Sequence, residues 1–125
     1  MNDEERAAAG LQTRREVLGD EHVDRALAAT TEFTADFQDF ITRYAWGELW
    51  NRPGLSRPER SMITLAILAA LGRDEELALH VRAGIRNGLT SADIREVLFH
   101  VAVYAGLPAA NRAFTVAAQA MQNAS

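Results

Sequence analysis

Two residue types are missing from this 125-residue chain. There is no cysteine, which excludes disulfides, thiolate metal ligands and a cysteine nucleophile. There is also no lysine, because all 13 basic residues are arginine. That excludes a Schiff base to a substrate carbonyl or to pyridoxal phosphate, and it excludes the lysine-bearing phosphate loop. No Gly-x-Ser-x-Gly elbow and no Gly-x-Gly-x-x-Gly loop occurs. The histidines, His22, His80 and His100, form no His-x-x-x-His pair, so a metal site is not expected, although carboxylates could supply ligands. The apolar run from Met62 to Leu71 is too short for a bilayer, which needs about 20 residues. The opening Met-Asn-Asp-Glu-Glu lacks the basic-then-apolar pattern of a signal peptide, so a cytoplasmic location is the expectation. A net charge of −4 argues against a nucleic-acid partner, which calls for a basic patch.

What remains is an apolar, helix-patterned chain. A hydrophobic fraction of 48% can fill a core, and 24% charged residues suits a soluble protein. The length predicts one domain, residues 1–125, with an N-terminal helical segment (1–30) and a core (31–121). A first helix runs from Glu4 to Leu18 and closes at Gly19, with Ala7, Leu11 and Leu18 inside and Arg6, Arg14 and Arg15 outside. A short helix follows from Glu21 to Ala29. The spacing of Phe33, Phe37, Phe40, Ile41 and Tyr44 predicts a third helix from Glu32 to Trp46, its aromatic face read as core packing. Gly47 and Pro53-Gly54 predict a loop over 45–54.

The centre of the chain carries the clearest local signals. Ser56, Pro58 and Glu59 form a helix start with a capping box, and Gly72 suits the left-handed end. Between Met62 and Leu71 only Thr64 is polar, which predicts a helix buried all round. The next helix runs from Asp74 to Asn87-Gly88, with Leu77, Val81, Gly84 and Ile85 on its apolar face and His80 at the margin. Thr90 and Asp93 open another, lined by Ile94, Val97, Leu98, Val101 and Ala105 and ended by Gly106. Pro108 begins the last, with Ala110, Ala113, Phe114, Ala117 and Met121 on one face, and the tail 122–125 reads as frayed. No strand pattern appears. The expected fold is an all-α bundle of six or seven helices. So much apolar surface on short helices implies burial between subunits as well as within one.

Several residues could carry chemistry. His80 is either a hydrogen-bonded core histidine or a catalytic group that Glu76, one turn earlier, could orient. Gly84, one turn later, would leave space beside the ring for a ligand. Arg60 lies in the first turn of the buried helix, where the dipole disfavours a cation. Its partner is therefore an anion, either a side-chain carboxylate or a substrate carboxylate. Trp46 and Trp50 around Glu48 are either aromatic anchors of a loop or a pocket wall with a carboxylate in it. Arg43 and Tyr104 are pocket or surface residues. His100 falls off the apolar stripe of its helix, and Asn111 suits a capping role.

Taken together, these residues resemble the carboxymuconolactone decarboxylase family, which shares the alkylhydroperoxidase D-like helical fold. The resemblance runs over nearly the whole length. It includes Arg14-Arg15-Glu-Val-Leu-Gly-Asp, His22-Val-Asp-Arg, Phe37-Gln, Ile41-Thr-Arg, Ala45-Trp-Gly, Trp50 and Arg52-Pro-Gly-Leu. It continues through Arg60-Ser, Ile63-Thr, Glu76-Leu-Ala-Leu-His-Val-Arg-Ala, Asn87-Gly, Tyr104-Ala-Gly-Leu-Pro-Ala-Ala-Asn and Phe114. The peroxidase branch of the superfamily has two cysteines, four and seven residues before the shared histidine. Glu76 and Arg73 stand there, so peroxidase activity does not carry over.

The resemblance implies a cofactor-free decarboxylation of 4-carboxymuconolactone to the 3-oxoadipate enol-lactone and carbon dioxide in protocatechuate catabolism. It also implies a homo-oligomer, with a hexamer favoured. In this reading His80 is the acid that protonates a ring carbon, with Glu48 or Glu76 as its orienter. Arg60 binds a substrate carboxylate, Arg43 is a second candidate, and Trp46 walls the leaving carboxylate away from water. The runner-up is a lactone isomerase or hydrolase of the same superfamily. A third reading is a helical interaction module without chemistry.

Overall fold

The computed structural model describes residues 1–123. Seven α-helices and one π-helical segment account for nearly all of them, and no strand occurs among the described residues. The all-α expectation holds. The chain divides into two compact units, Met1–Leu55 and the remainder from Ser56 onward.

The first unit contains α1 (Asp3–Leu18), α2 (Asp20–Ala28) and α3 (Ala35–Ile41), the last running on as a π-helix over Thr42–Leu49. The Asn2 side chain accepts from the Glu5 amide and caps α1. Gly19 joins α1 to α2 at φ 91°, which a side chain would resist. Gly47 does not break the helix as its identity suggests. It faces α1, where a Cβ would run into the Arg6 carbonyl oxygen. Gly10 is its counterpart on α1: a Cβ there would collide with the Thr42 carbonyl oxygen and lie 2.9 Å from the Gly47 amide nitrogen. Two glycines thus let the helix backbones approach closely, and the loop begins only after Leu49.

This close approach also changes which face of α1 is inside. Gly10, Thr13, Arg14 and Val17 are buried, so Arg14, expected outside, is an interior residue. Its guanidinium donates to Gln38 Oε1 at 3.1 Å and to Thr42 Oγ1 at 3.5 Å. Burial pulls its pKa below the ordinary arginine value. The aromatic stripe, expected in the core, is exposed instead: Phe33 is 94% accessible and Phe37 64%, with Phe40 and Tyr44 also exposed. Helical spacing identifies an apolar face but not what the face meets.

The second unit is a bundle of α4 (Arg57–Leu71), α5 (Asp74–Arg86), α6 (Ser91–Tyr104) and α7 (Leu107–Gln122). Both capping boxes form. Ser56 Oγ accepts from the Glu59 amide while Glu59 Oε1 accepts from the Ser56 amide, and Thr90 and Asp93 repeat the arrangement. Gly72 ends α4 in the left-handed region at φ 71°. The core gathers Leu65, Leu77, Val81, Ile94, Leu98 and a series of alanines on α7. Helix α4 is not buried all round: Ser61, Leu65 and Ala69 face inward, while Ile63, Ile67 and Leu71 form an exposed stripe on the other side. On α5, Ala83 is buried and Ile85 is exposed, which turns the buried arc toward His80. Ala124 and Ser125, half of the tail expected to fray, lie outside the described residues. None of the helices among the described residues is long and apolar enough to cross a membrane.

Candidate active site

Arg60, Glu76 and His80 belong to the second unit, and Arg43, Trp46 and Glu48 to the first. In the second unit, the α4 capping box fixes the helix start that carries Arg60 in its first turns. The Arg60 side chain is half-buried. Ser61 follows on the inward face, 1% exposed, and its hydroxyl meets no hydrogen-bond partner among the described residues. An unmatched buried hydroxyl costs about 1–3 kcal/mol, so a fold retains one only where something offsets it. Ser61 was not singled out from the sequence, although its spacing with Leu65 and Ala69 places it on the buried stripe.

His80 lies in the middle of α5, flanked along the helix by buried Leu77, Ala83 and Gly84. Its ring is half-buried and its Nδ1 is shielded from solvent. Glu76, one turn earlier on the same helix, is exposed. Gly84 does not open a space beside the ring: a Cβ there would sit 2.9 Å from Leu89 Cδ1, because the Leu89 side chain fills the notch. The glycine serves the close packing of the α5–α6 connection.

In the first unit, Trp46 and Trp50 are both buried and stack with ring centroids 5.2 Å apart and planes 24° from parallel. Trp46 sits within the π-helix and Trp50 in the turn that ends it. Asn51 locks the following turn, accepting from Thr13 Oγ1 at 2.7 Å and donating to the Gly47 carbonyl. Glu48 points into a surface ion network, 3.4 Å from Arg52 Nη1 and 4.0 Å from Arg6 Nε. Arg43 belongs to the same network, bonded to Asp39 at 3.1 Å and Asp3 at 3.2 Å, with its guanidinium over the Tyr44 ring. Asp3 also pairs with Arg6 at 2.9 Å, so one chain of alternating charges links Arg43 to Glu48. Two carboxylates already neutralise Arg43.

His100 and Tyr104 stack on each other at 4.9 Å on the exposed side of α6. The Asn111 side chain makes no cap, and α7 starts from Gly106 without one. Among the described residues, no three of histidine, aspartate and glutamate stand close enough together to hold a metal ion.

His80 and Arg60 are both half-buried, and imidazole and guanidinium are the side-chain types that transfer protons and bind carboxylates. Sequence comparison points the same way. The chain is 50% identical over 123 residues to the 4-carboxymuconolactone decarboxylase of Acinetobacter baylyi, covering 98% of this chain and 92% of the relative. It is 45% identical over 107 residues to nitrosuccinic acid decarboxylase of Metarhizium robertsii, covering 86% and 75%. A 48-residue 4-carboxymuconolactone decarboxylase sequence from Pseudomonas putida matches over its whole length at 50% identity, on 38% of this chain. Residues 35–119 match the Carboxymuconolactone decarboxylase family itself, and with the whole-length relative this places the chain in that family.

Proposed function

We propose that the chain decarboxylates 4-carboxymuconolactone to the 3-oxoadipate enol-lactone, a step in the bacterial breakdown of protocatechuate. The observation that carries this reading is the 50% identity over 98% of the chain to a relative of that name. The chemistry needs no cofactor. The carbon–carbon bond to the carboxylate breaks and carbon dioxide leaves. The electron pair moves through the ring double bond into the lactone carbonyl. A proton then returns to the ring carbon next to that carbonyl. The substrate is its own electron sink, so the protein must bind a dianion, stabilise the developing oxyanion and deliver the proton.

The roles follow from chemistry and burial. His80 delivers the proton: its ring is half-buried, and imidazole is a general acid–base group. Arg60 binds the carboxylate that the product keeps, and Ser61, whose hydroxyl is otherwise unmatched, donates a further hydrogen bond. Glu76 orients His80 from one helical turn away. Glu48 and Arg43 contribute less, since both are engaged in the surface ion network. The chain acts as one carboxymuconolactone decarboxylase-like domain in the cytoplasm. It works as a homo-oligomer, with a hexamer favoured, and the exposed stripes on α3 and α4 give that assembly its physical motive.

The 45% identity to a nitrosuccinic acid decarboxylase favours a second substrate of the same kind. Nitrosuccinate is also a dicarboxylate that carries its own electron sink, the nitro group beside the departing carboxylate. Side-by-side kinetics with both substrates, after exhaustive chelation, test the assignment. The lactone should give the higher kcat/KM. Preference for nitrosuccinate would move the chain to the second reading, lactone change without gas would make it an isomerase or hydrolase, and inertness would favour the interaction module. Activity restored only by an added divalent metal would contradict the cofactor-free mechanism.

A further inference from the structure

The two units expose complementary surfaces. On the first, Phe33, Phe37, Phe40 and Tyr44 run along one side of α3 and its extensions. At about 200 Å² per aromatic side chain, their accessible fractions amount to roughly 500 Å² of apolar surface, at the upper end of what a monomer leaves uncovered. On the second, α6 and α7 enclose an open groove of ≈620 Å³ lined by Phe99, Ala102, Leu107, Pro108 and Phe114. A second cleft between the same helices shares Phe114 and is also lined by Arg95. The rings of Phe99 and Phe114 lie 5.9 Å apart and tilted, forming an aromatic floor onto which further rings can pack edge to face.

We propose that the aromatic stripe of α3 from one copy docks in the α6–α7 groove of a second copy. Charge selects this pairing over a stripe meeting its own twin. The first unit carries six arginines against eleven carboxylates, a net charge of −5, and the second carries seven against six, a net charge of +1. A stripe-to-stripe contact would set Glu32 and Asp36 against their own copies, at a cost in like-charge repulsion. In the groove, Glu32 and Asp36 instead meet the unit of opposite net charge, where Arg95 lines the neighbouring cleft. The contact joins two different surfaces, so each copy offers one of each to its neighbours. The inference rests on the self-association proposed above, and it specifies which surfaces meet.

The test uses Phe37→p-benzoylphenylalanine, a side-chain replacement of similar shape at an exposed position, in the full chain. It is mixed with isotopically labelled wild type and irradiated. The expected result is a covalent dimer in which residue 37 of one copy is joined to a peptide between Arg95 and Phe114 of the other. Attachment to α1, α3 or α4 of the other copy would overturn the pairing while leaving self-association intact. Attachment only within the same chain, or no covalent dimer, would also overturn it. A monomeric wild type by light scattering would remove the self-association itself. None of these readouts depends on decarboxylation.

Discussion

At the scale of single residues, two histidines of similar sequence appearance differ in their surroundings. His80 is half-buried with Nδ1 shielded, whereas His100 stacks on Tyr104 in the open. His80→Ala should therefore keep its helical circular dichroism and lose roughly 10²–10⁴-fold in kcat, the contribution of a positioned acid. KM should change little, because the proton moves in the transition state. His100→Ala should turn over as the wild type does. A His80→Ala protein that unfolds would return the residue to a core role. Arg60→Ala should show the opposite pattern, with KM rising roughly 10- to 100-fold as a charge-assisted ground-state contact is lost. The position of His80 on its helix is legible in the sequence, because helical spacing fixes side-chain direction. The burial of Arg14 is not. An arginine among polar neighbours reads as solvent-facing until Gly10 and Gly47 bring two backbones together over it, a long-range event with no local signature.

At the scale of elements, the starts of α4 and α6 are fully legible, since a capping box is contained within four residues. The Glu59 carboxyl is held below its ordinary value, first by its hydrogen bond to the Ser56 backbone amide. A carboxyl with a depressed folded pKa contributes stability that is fully present above the ordinary glutamate range. That contribution is lost as pH falls through the lower folded value. Glu59→Gln should therefore lower the melting temperature at pH 7, and the difference from wild type should shrink as the medium is acidified below the ordinary glutamate value of 4.5. The helix containing Gly47 is the opposite case. Its glycine reads as a breaker, yet it serves a close approach to α1, and the chain widens into a π-helix there. Gly10→Ala and Gly47→Ala should each destabilise by about 1–3 kcal/mol, as overpacking does, measured by urea unfolding. Gly54→Ala, where a Cβ meets nothing within 4 Å, should be close to neutral by the same assay.

At the scale of the whole molecule, apolar periodicity establishes seven helices but misreads two of their faces. The stripes of Phe33, Phe37, Phe40 and Tyr44 on α3 and of Ile63, Ile67 and Leu71 on α4 carry the spacing of core residues and are nonetheless exposed. An assembled protein places the same residue types in subunit contacts as in cores, so spacing alone cannot tell them apart. Light scattering at micromolar concentration should accordingly give a mass several times that of one chain, and a monomer would contradict the reading of these stripes. The central claim concerns chemistry, and one measurement reaches it most directly. The chelated protein is supplied with 4-carboxymuconolactone bearing carbon-13 in the carboxylate attached to the ring, and the labelled gas and the product are followed together. One labelled carbon dioxide is expected for each enol-lactone formed. Disappearance of the lactone without labelled gas, or no turnover at all, would contradict it.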